Sequence, residues 1–252
     1  MKLTDRVLFL LSVPKCIGCG ERLSFGRFVL CPKCELEYLA YKDERCPDCA
    51  QYLRNCTCLP KYLNRNHIHK LYKVFRYSRR SGCPVSNNLI AALKHGNNKY
   101  VSAFLAEELA DVLRGKFSDP DKWMIVSLPR SAGSIMKYGY DQTRLLCKYL
   151  SADIGIKYVP ALRRVRATRE QKTLTALERR ENVKNAFCVK DTEAVRGKKV
   201  ILVDDVVTSG ATMASAAETL HDAGAARIVG AAPSVAFSTT VRRIFRVKKR
   251  GG

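Results

Sequence analysis

The chain has no apolar run approaching the roughly 18 residues that a helix needs to cross a membrane, so no spanning helix is expected. Its opening run, RVLFLLSV at residues 6–13, is apolar but short. It lacks a small-residue cleavage site and leads straight into a cysteine pair, which favours a short amphipathic lead-in helix over a signal peptide. Acid is scarce: 23 Asp and Glu stand against 45 Lys and Arg, a net charge of +22. A disordered chain is excluded, because 46% of the residues are hydrophobic and a sizeable core can form over 252 residues. Cysteine is almost missing after residue 58, where only Cys83, Cys147 and Cys188 occur, with the spacing of ordinary buried thiols. No internal repeat is visible beyond paired cysteine spacings.

What is present is correspondingly concentrated. Eight of the eleven cysteines fall between Cys16 and Cys58. Cys16 and Cys19 form one x2 pair, and Cys31 and Cys34 form another. Four thiolates so spaced suit a closed tetrahedral Zn²⁺ site, which leaves no position for a substrate and is therefore structural. Gly18, Gly20 and Pro32 fit the tight turns such knuckles need. A second set, Cys46, Cys49, Cys56 and Cys58, begins with a regular pair and ends with an irregular x1 pair. It implies a second Zn²⁺, with His67 or His69 as substitute ligands, or a degenerate ribbon without metal. One or two zinc ions are expected, in a reducing compartment such as the cytoplasm. So short a segment buries little surface, and metal would supply its folding energy. The region is expected to hold short hairpins and few helices.

The other concentrated signal is VILVDDVVTSGAT, Val200 to Thr212. A buried strand delivers Asp204 and Asp205 to its carboxyl end, where open α/β sheets bind ligands. The carboxylates can accept from vicinal ribose hydroxyls, directly or through hydrated Mg²⁺. Thr208, Ser209 and Thr212 offer hydroxyls, and Gly210 lets the backbone wrap a phosphate. The following helix would present free N–H groups and the positive end of its dipole to that phosphate. The bland alternative is an ordinary strand-turn-helix with Thr208 or Ser209 as the N-cap.

Between these signals, strands alternate with helices. KLYKVFRYS reads as a strand, NNLIAALKHGNNK as a helix capped by Asn87 or Asn88, and VSAFLAEELADVLRGKF as an amphipathic helix. WMIVSLPR is a buried strand, Tyr140 to Asp153 is helical, and Ala225 to Ala232 is a further strand. Strands alternating with helices predict a parallel sheet in an α/β fold. The expected division is a double zinc ribbon over residues 1–62, an α/β domain over 63–237 and a basic tail over 238–252.

The thirteen-residue motif resembles the signature of type I phosphoribosyltransferases. That likeness implies that Asp204 and Asp205 hold the ribose hydroxyls of 5-phosphoribosyl-1-pyrophosphate (PRPP), with Mg²⁺. The loop from Val206 through Thr208, Ser209, Gly210, Ala211 and Thr212 would hold the 5-phosphate. More of the chain is similar to one family, ComF, in family order: the cysteine ribbons, LIAALKHGNN, SLPR at Ser127–Arg130, YGYDQ at Tyr138–Gln142, and the block from Arg166 to Phe187. The resemblance implies a type I phosphoribosyltransferase-like parallel sheet flanked by helices behind a small cysteine-rich ribbon domain. It places Pro129 and Arg130 at the diphosphate, and Arg166 and Gln171 in a loop over the site. Gln142 is a further residue that could face it. Asp141 stands where the family commonly carries Asn.

The resemblance further implies a role in DNA uptake during natural transformation, beside a competence helicase (ComFA-like). The net charge points to nucleic acid or polyphosphate as a partner, and the resemblance implies single-stranded DNA. Tyr72, Phe75 and Tyr77, interleaved with basic residues, are candidates for base stacking, although a core strand explains them better. The alternative activity is Mg-dependent phosphoribosyl transfer to a nucleobase-like acceptor. No segment identifies that acceptor, a catalytic acid or a catalytic base.

Overall fold

A computed structural model describes residues 13–60, 63, 67–78, 83–131, 133, 135–136, 139–165 and 186–236. The elements are α1 (Pro32–Lys42), β1 (Ile68–Arg76), α2 (Pro84–His95), α3 (Lys99–Leu113), β2 (Trp123–Ser127), α4 (Gln142–Ile154), β3 (Leu162–Arg164), β4 (Phe187–Val189), α5 (Thr192–Val195), β5 (Lys199–Val203), β6 (Val206–Val207), α6 (Ala211–Asp222) and β7 (Arg227–Val235). The main sheet runs β1-β7-β5-β2, with β6 also on β7, and all of these pairs are parallel. Tyr158 extends it past β2 through a parallel bridge to Ile125. β3 and β4 form a separate antiparallel ribbon.

The motif strand occupies the middle of this sheet because its residues fit nowhere else. Val200, Ile201, Leu202 and Val203 are all fully buried, as a strand covered on both faces requires. Helices α3 and α4 pack beneath one face, and α6 covers the other through Met213, Ala216, Ala217 and Leu220. The small residues of α6 let it lie close to β7, where Gly230 faces Met213 and Leu71 without a side chain of its own.

Helix α2 starts earlier than its sequence suggests. Pro84 occupies the first turn and Cys83 is the N-cap, so Asn87 and Asn88 are not caps. Their amides tie α2 to its surroundings instead: Asn87 Nδ2 donates to the carbonyl of Ser78 at 2.8 Å, and Asn88 Nδ2 donates to that of Gly18 at 3.0 Å. By contrast, Asn98 caps α3 by accepting from Tyr100 and Val101. The cysteine-rich region also departs from expectation. Pro32 opens α1, an eleven-residue helix, in a region expected to hold short hairpins and few helices.

That helix explains how the ribbon joins the sheet. Cys16, Leu23, Leu30, Cys34 and Tyr38 belong to the same core as Leu89, Leu105 and Phe75. Tyr38 is fully buried and meets the Phe75 ring edge-on at 5.7 Å, while its hydroxyl donates to Glu108 Oε2 at 2.9 Å. Tyr72 and Phe75 are therefore core residues. They are not available to stack on bases, and the core-strand explanation holds for both.

Candidate functional site

The acids sit at an interruption in the central strand. Val203 pairs with Ala231 and Val206 with Ser234, so the register with β7 continues across the break. Between them, Asp204 N–H donates to Ala231 O at 3.1 Å, and Asp205 N–H folds back onto Asp204 Oδ1 at 2.8 Å. The chain then resumes as β6 and turns into α6 through Gly210. This glycine has φ +83, and a Cβ there would lie 2.6 Å from Leu63 Cγ. Glycine is thus required twice, by backbone conformation and by the buried Leu63. Gly210→Val is expected to cost about 2–4 kcal/mol from left-handed strain and overpacking. A thermal melt would register a fall on the order of 10 °C, and an unchanged midpoint would contradict this packing.

Neither Thr208 nor Ser209 caps α6. The N-cap is Gly210 and has no side-chain bond, while Ser209 Oγ accepts only from Ala211 N–H at a long 3.4 Å. The first-turn amides of α6 therefore open onto a cleft of about 350 Å³. The cleft is lined by Asp204 to Thr208, by Gly210 to Met213, and across from them by Pro129, Arg130 and Ser131. Sequence-expected Asp204, Asp205, Val206, Thr208, Gly210, Ala211, Thr212, Pro129 and Arg130 thus meet in one place. Ser209 lies in the same turn but is not among the lining residues. Arg166 and Gln171, with the rest of 166–185, lie outside the described residues, as do Arg79, Arg80, the lead-in residues 1–12 and the tail 238–252.

Leu128 and Thr143 also line the cleft, as do three further polar residues: Lys94 at the end of α2, Gln142 at the start of α4 and Arg164 in β3. Gln142 is buried, and its Nε2 donates to Asp205 Oδ2 at 2.6 Å. Lys94 Nζ stands 4.0 Å from Asp205 Oδ1. Asp205, itself 8% exposed, is thereby held from both sides. Gln142 had been marked as a residue that could face the site. Lys94 sits within LIAALKHGNN and Arg164 within a basic run, and nothing local distinguishes them from solvated charges.

The electrostatics follow from this crowding. Burial, followed by the neighbouring charge of Asp205, holds Asp204 far above the usual carboxylate range. Burial pushes Arg164 down from its ordinary value, and Asp204 counteracts that effect. Asp141 is raised by burial, while the N–H of Arg144, the charge of Arg130 and the Arg130 N–H work to lower it. It is also the N-cap of α4, accepting from Arg144 N–H at 3.1 Å. Asn would cap equally well there. Gln142→Leu leaves a buried carboxylate oxygen without its donor and is expected to cost about 1.5–3 kcal/mol. Urea unfolding would read the loss, and it should shrink when Asp205 is already Asn.

The cysteines form two four-sulfur clusters, Cys16, Cys19, Cys31 and Cys34, and Cys46, Cys49, Cys56 and Cys58. Within each, all ligand atoms lie within 4.8 Å of one another. Cys19 Sγ and Cys31 Sγ are 3.8 Å apart. The edge of a tetrahedron with Zn–S bonds of about 2.3 Å has about that length. The two leading knuckles share one geometry. Cys16 N–H donates to Glu21 O and Gly20 N–H to Cys16 O; Cys46 N–H donates to Gln51 O and Ala50 N–H to Cys46 O. Ala50 accepts a left-handed φ of 59 where Gly20 has 79.

The irregular pair closes the second cluster with no help from histidine. Cys58 N–H donates to Cys56 Sγ at 3.3 Å, as Cys31 N–H does to Cys16 Sγ. His67 instead stacks on His221, with ring centroids 3.6 Å apart. Burial acts to raise Cys16, but backbone N–H groups led by that of Cys31 bring it down to about 7. The Gln51 N–H leads the groups that bring Cys49 to about 7. Each cluster thus holds one sulfur biased towards the thiolate that metals bind. Both sets of residues fit a tetrahedral metal.

A parallel α/β sheet whose central strand ends in paired acids at a helix N-terminus defines a phosphoribosyltransferase-type fold, and a phosphoribosyl transferase domain model matches residues 143–245. The chain is 31% identical to DNA utilization protein YhgH of Escherichia coli over 231 residues, covering 87% of this chain and 96% of that one. It is 27% identical to competence protein F of Haemophilus influenzae over 228 residues, covering 85% and 93%. The chain belongs to the ComF family represented by these two relatives. Among solved structures, it resembles the glutamine PRPP amidotransferase of B. subtilis with a TM-score of 0.39 and 17% identity, covering 57% and 30% of the two chains. It also resembles the adenine phosphoribosyl transferase of Trypanosoma brucei with a TM-score of 0.33 and 11% identity, covering 69% and 91%.

Proposed function

We propose that the cleft binds PRPP with Mg²⁺ and that the basic body of the protein binds single-stranded DNA during DNA uptake. The observation that carries the first part is the convergence of an acid pair, a helix N-terminus and three cations on one cleft of about 350 Å³. Asp204 would take the ribose hydroxyls, supported by an Asp205 that Gln142 and Lys94 hold in place. The turn from Thr208 to Thr212 would take the 5-phosphate, and Arg130 the diphosphate through its planar fork. Asp204 and Asp205 would hold hydrated Mg²⁺, which would supply positive charge against the ligand's phosphates. Arg166 and Gln171 belong to this proposal as a loop over the ligand. Zn²⁺ is the proposed metal of both cysteine clusters, in a structural role.

The DNA part is supported by the net charge of +22 and by relatives that carry the names DNA utilization protein and competence protein. It includes a competence helicase (ComFA-like) as partner, a cytoplasmic location and a contribution from the tail at 238–252. Among the described residues, no helix is long and apolar enough to cross a membrane. The proposed division is ribbons over 1–62 and a phosphoribosyltransferase-like domain over 63–237. If about five phosphates are engaged, log affinity for a single strand should fall with log salt at a slope of about −3 to −4. Fluorescence anisotropy from 50 to 200 mM salt reads this, and a flat response would contradict a phosphate-tracking surface.

A second reading, transfer of the phosphoribosyl group to a nucleobase-like acceptor, is favoured by the acid pair and Arg130 lying where charge on a departing diphosphate would need stabilisation. Pyrophosphate release from PRPP across a panel of nucleobases separates the two: turnover supports transfer, while binding without release supports a ligand-gated DNA protein.

A further inference from the structure

Lys73 is the only fully buried lysine or arginine among the described residues, with 0% exposure. It lies in β1 at the same strand parity as Leu71 and Phe75, and like them it is fully buried. Its Nζ donates to the carbonyl of Cys58 at 2.8 Å and has a long 3.4 Å contact to that of Leu71. No carboxylate pairs with it among the described residues. Carbonyl dipoles alone do not repay burying an ammonium, which ordinarily costs several kcal/mol unless an anion is near.

The second cysteine cluster adjoins Lys73 through Cys58 and is a source of negative charge. Cys58 is one of its four ligands, and β1 is tied to the same turn by the Leu71 N–H, which donates to Thr57 O at 3.2 Å. Four thiolates around a divalent cation leave two net negative charges. Among the described residues, three other cations at this ribbon have partners of their own. Arg45 lies over the Tyr52 ring, Arg54 pairs with Asp43, and Arg76 pairs with Glu44. No comparable buried cation accompanies the first cluster among the described residues.

We propose that Lys73 is the charge-compensating residue of the second cysteine metal centre. Its buried ammonium offsets the tetrathiolate and, through Cys58, fixes that ligand's backbone to the central sheet. The inference rests on the metal reading above and assigns a positioning role outside the ligand shell. It also explains how an irregular x1 pair holds a metal: part of the binding strength comes from a residue fifteen positions away from Cys58.

The test uses the full chain loaded with zinc, with the first centre as an internal control. Wild-type protein should hold two zinc ions per chain. If it holds only the first, the metal reading of the second cluster fails, independently of Lys73. Lys73→Gln keeps a donor for Cys58 O but removes the charge, and Lys73→Met removes both. Titration against a chromogenic chelator should show the second zinc bound about 10–100-fold more weakly in both variants, with the first unchanged. Full second-site affinity in Lys73→Gln would overturn the proposal by reducing Lys73 to a hydrogen-bond donor. If Lys73→Met folds poorly, Lys73→Gln still reports on charge through its second-site affinity, with retention of the first zinc showing that the fold is intact. A further arm places Lys73→Gln in a Cys46→Ser, Cys49→Ser background. There the substitution should raise the melting temperature, because the charge has lost its counterion. A fall in both backgrounds would contradict the coupling.

Discussion

Asp204→Asn and Asp205→Asn are each expected to weaken PRPP binding at least 100-fold, while zinc content stays at the wild-type value. For Asp204 the reason is direct. It is the acid whose carboxylate is not occupied by Gln142, and hydroxyl-to-carboxylate bonds are among the stronger ones a sugar can make. Asp205 acts by position: Asn there would turn an amide towards the Gln142 donor, and the pair would repel or rotate. Titration calorimetry reads the affinity, and metal analysis reads the zinc. Unaltered PRPP affinity in either variant would remove that acid from the ligand.

The same substitution has an opposite effect on stability. Burial and Asp205 raise the Asp204 carboxyl, so the native state holds a proton that the unfolded chain releases. Stability contributed at this site therefore falls as pH rises from the unfolded carboxylate range, about 4, towards the raised native value. Asp204→Asn removes that penalty. Its melting point without ligand should exceed wild type at pH 8 and approach it at pH 4. A variant that binds nothing yet melts higher is the signature of a site strained for function.

The second large expectation concerns the cysteine centres, which should differ in consequence. Cys34→Ser is expected to release one metal and lower the melting temperature by more than about 10 °C. Cys34 shares the principal core with Leu89 and Leu105, and α1 lies on the same surface as α2. Gly18 presses against Cys34 Sγ and Val85 so closely that a Cβ would stand 2.6 Å from the sulfur. Loss of the first metal should therefore loosen α2, whose last turn carries Lys94 to Asp205. PRPP binding should weaken with it. Cys58→Ser should also release one metal, but its cluster packs mainly on Cys46, Leu53 and Cys56, a small satellite of the fold. Its melting point should drop less, and PRPP binding should stay close to wild type. Equal effects of the two variants on PRPP would contradict the α2 linkage. Calorimetry and metal analysis on the same samples decide it.

How much of this was legible in the sequence depends on how local each signal is. VILVDDVVTSGAT carries its own strand, break and turn, so the acid pair and the turn into α6 emerge where the sequence places them. The leading cysteine pairs are likewise local, since a knuckle is closed by bonds within six residues, as from Cys16 N–H to Glu21 O. The x1 pair was harder. β1 ties down Thr57 and Cys58 through Leu71 and Lys73, a contact that no spacing rule encodes. Lys94, Gln142 and Arg164 come from three elements and meet only because the parallel sheet brings α2, α4 and β3 to one edge. Lys73 defeats pattern reading altogether. By residue type it reads as solvated even though it shares strand parity with the buried Leu71 and Phe75, and its bond to the Cys58 carbonyl lies outside any local pattern. Asn87 and Asn88 mislead in the opposite sense: they are good caps by type, but Pro84 starts the helix first.

The central claim is that the cleft between Asp204, Arg130 and the start of α6 is a PRPP site. Titration calorimetry of the zinc-loaded full chain with PRPP and Mg²⁺, against ribose 5-phosphate and pyrophosphate separately, tests it most directly. Saturable one-to-one binding of PRPP is predicted, tighter than either fragment and lost in Asp204→Asn. Absence of binding at millimolar PRPP, or equal binding in the variant, would contradict it.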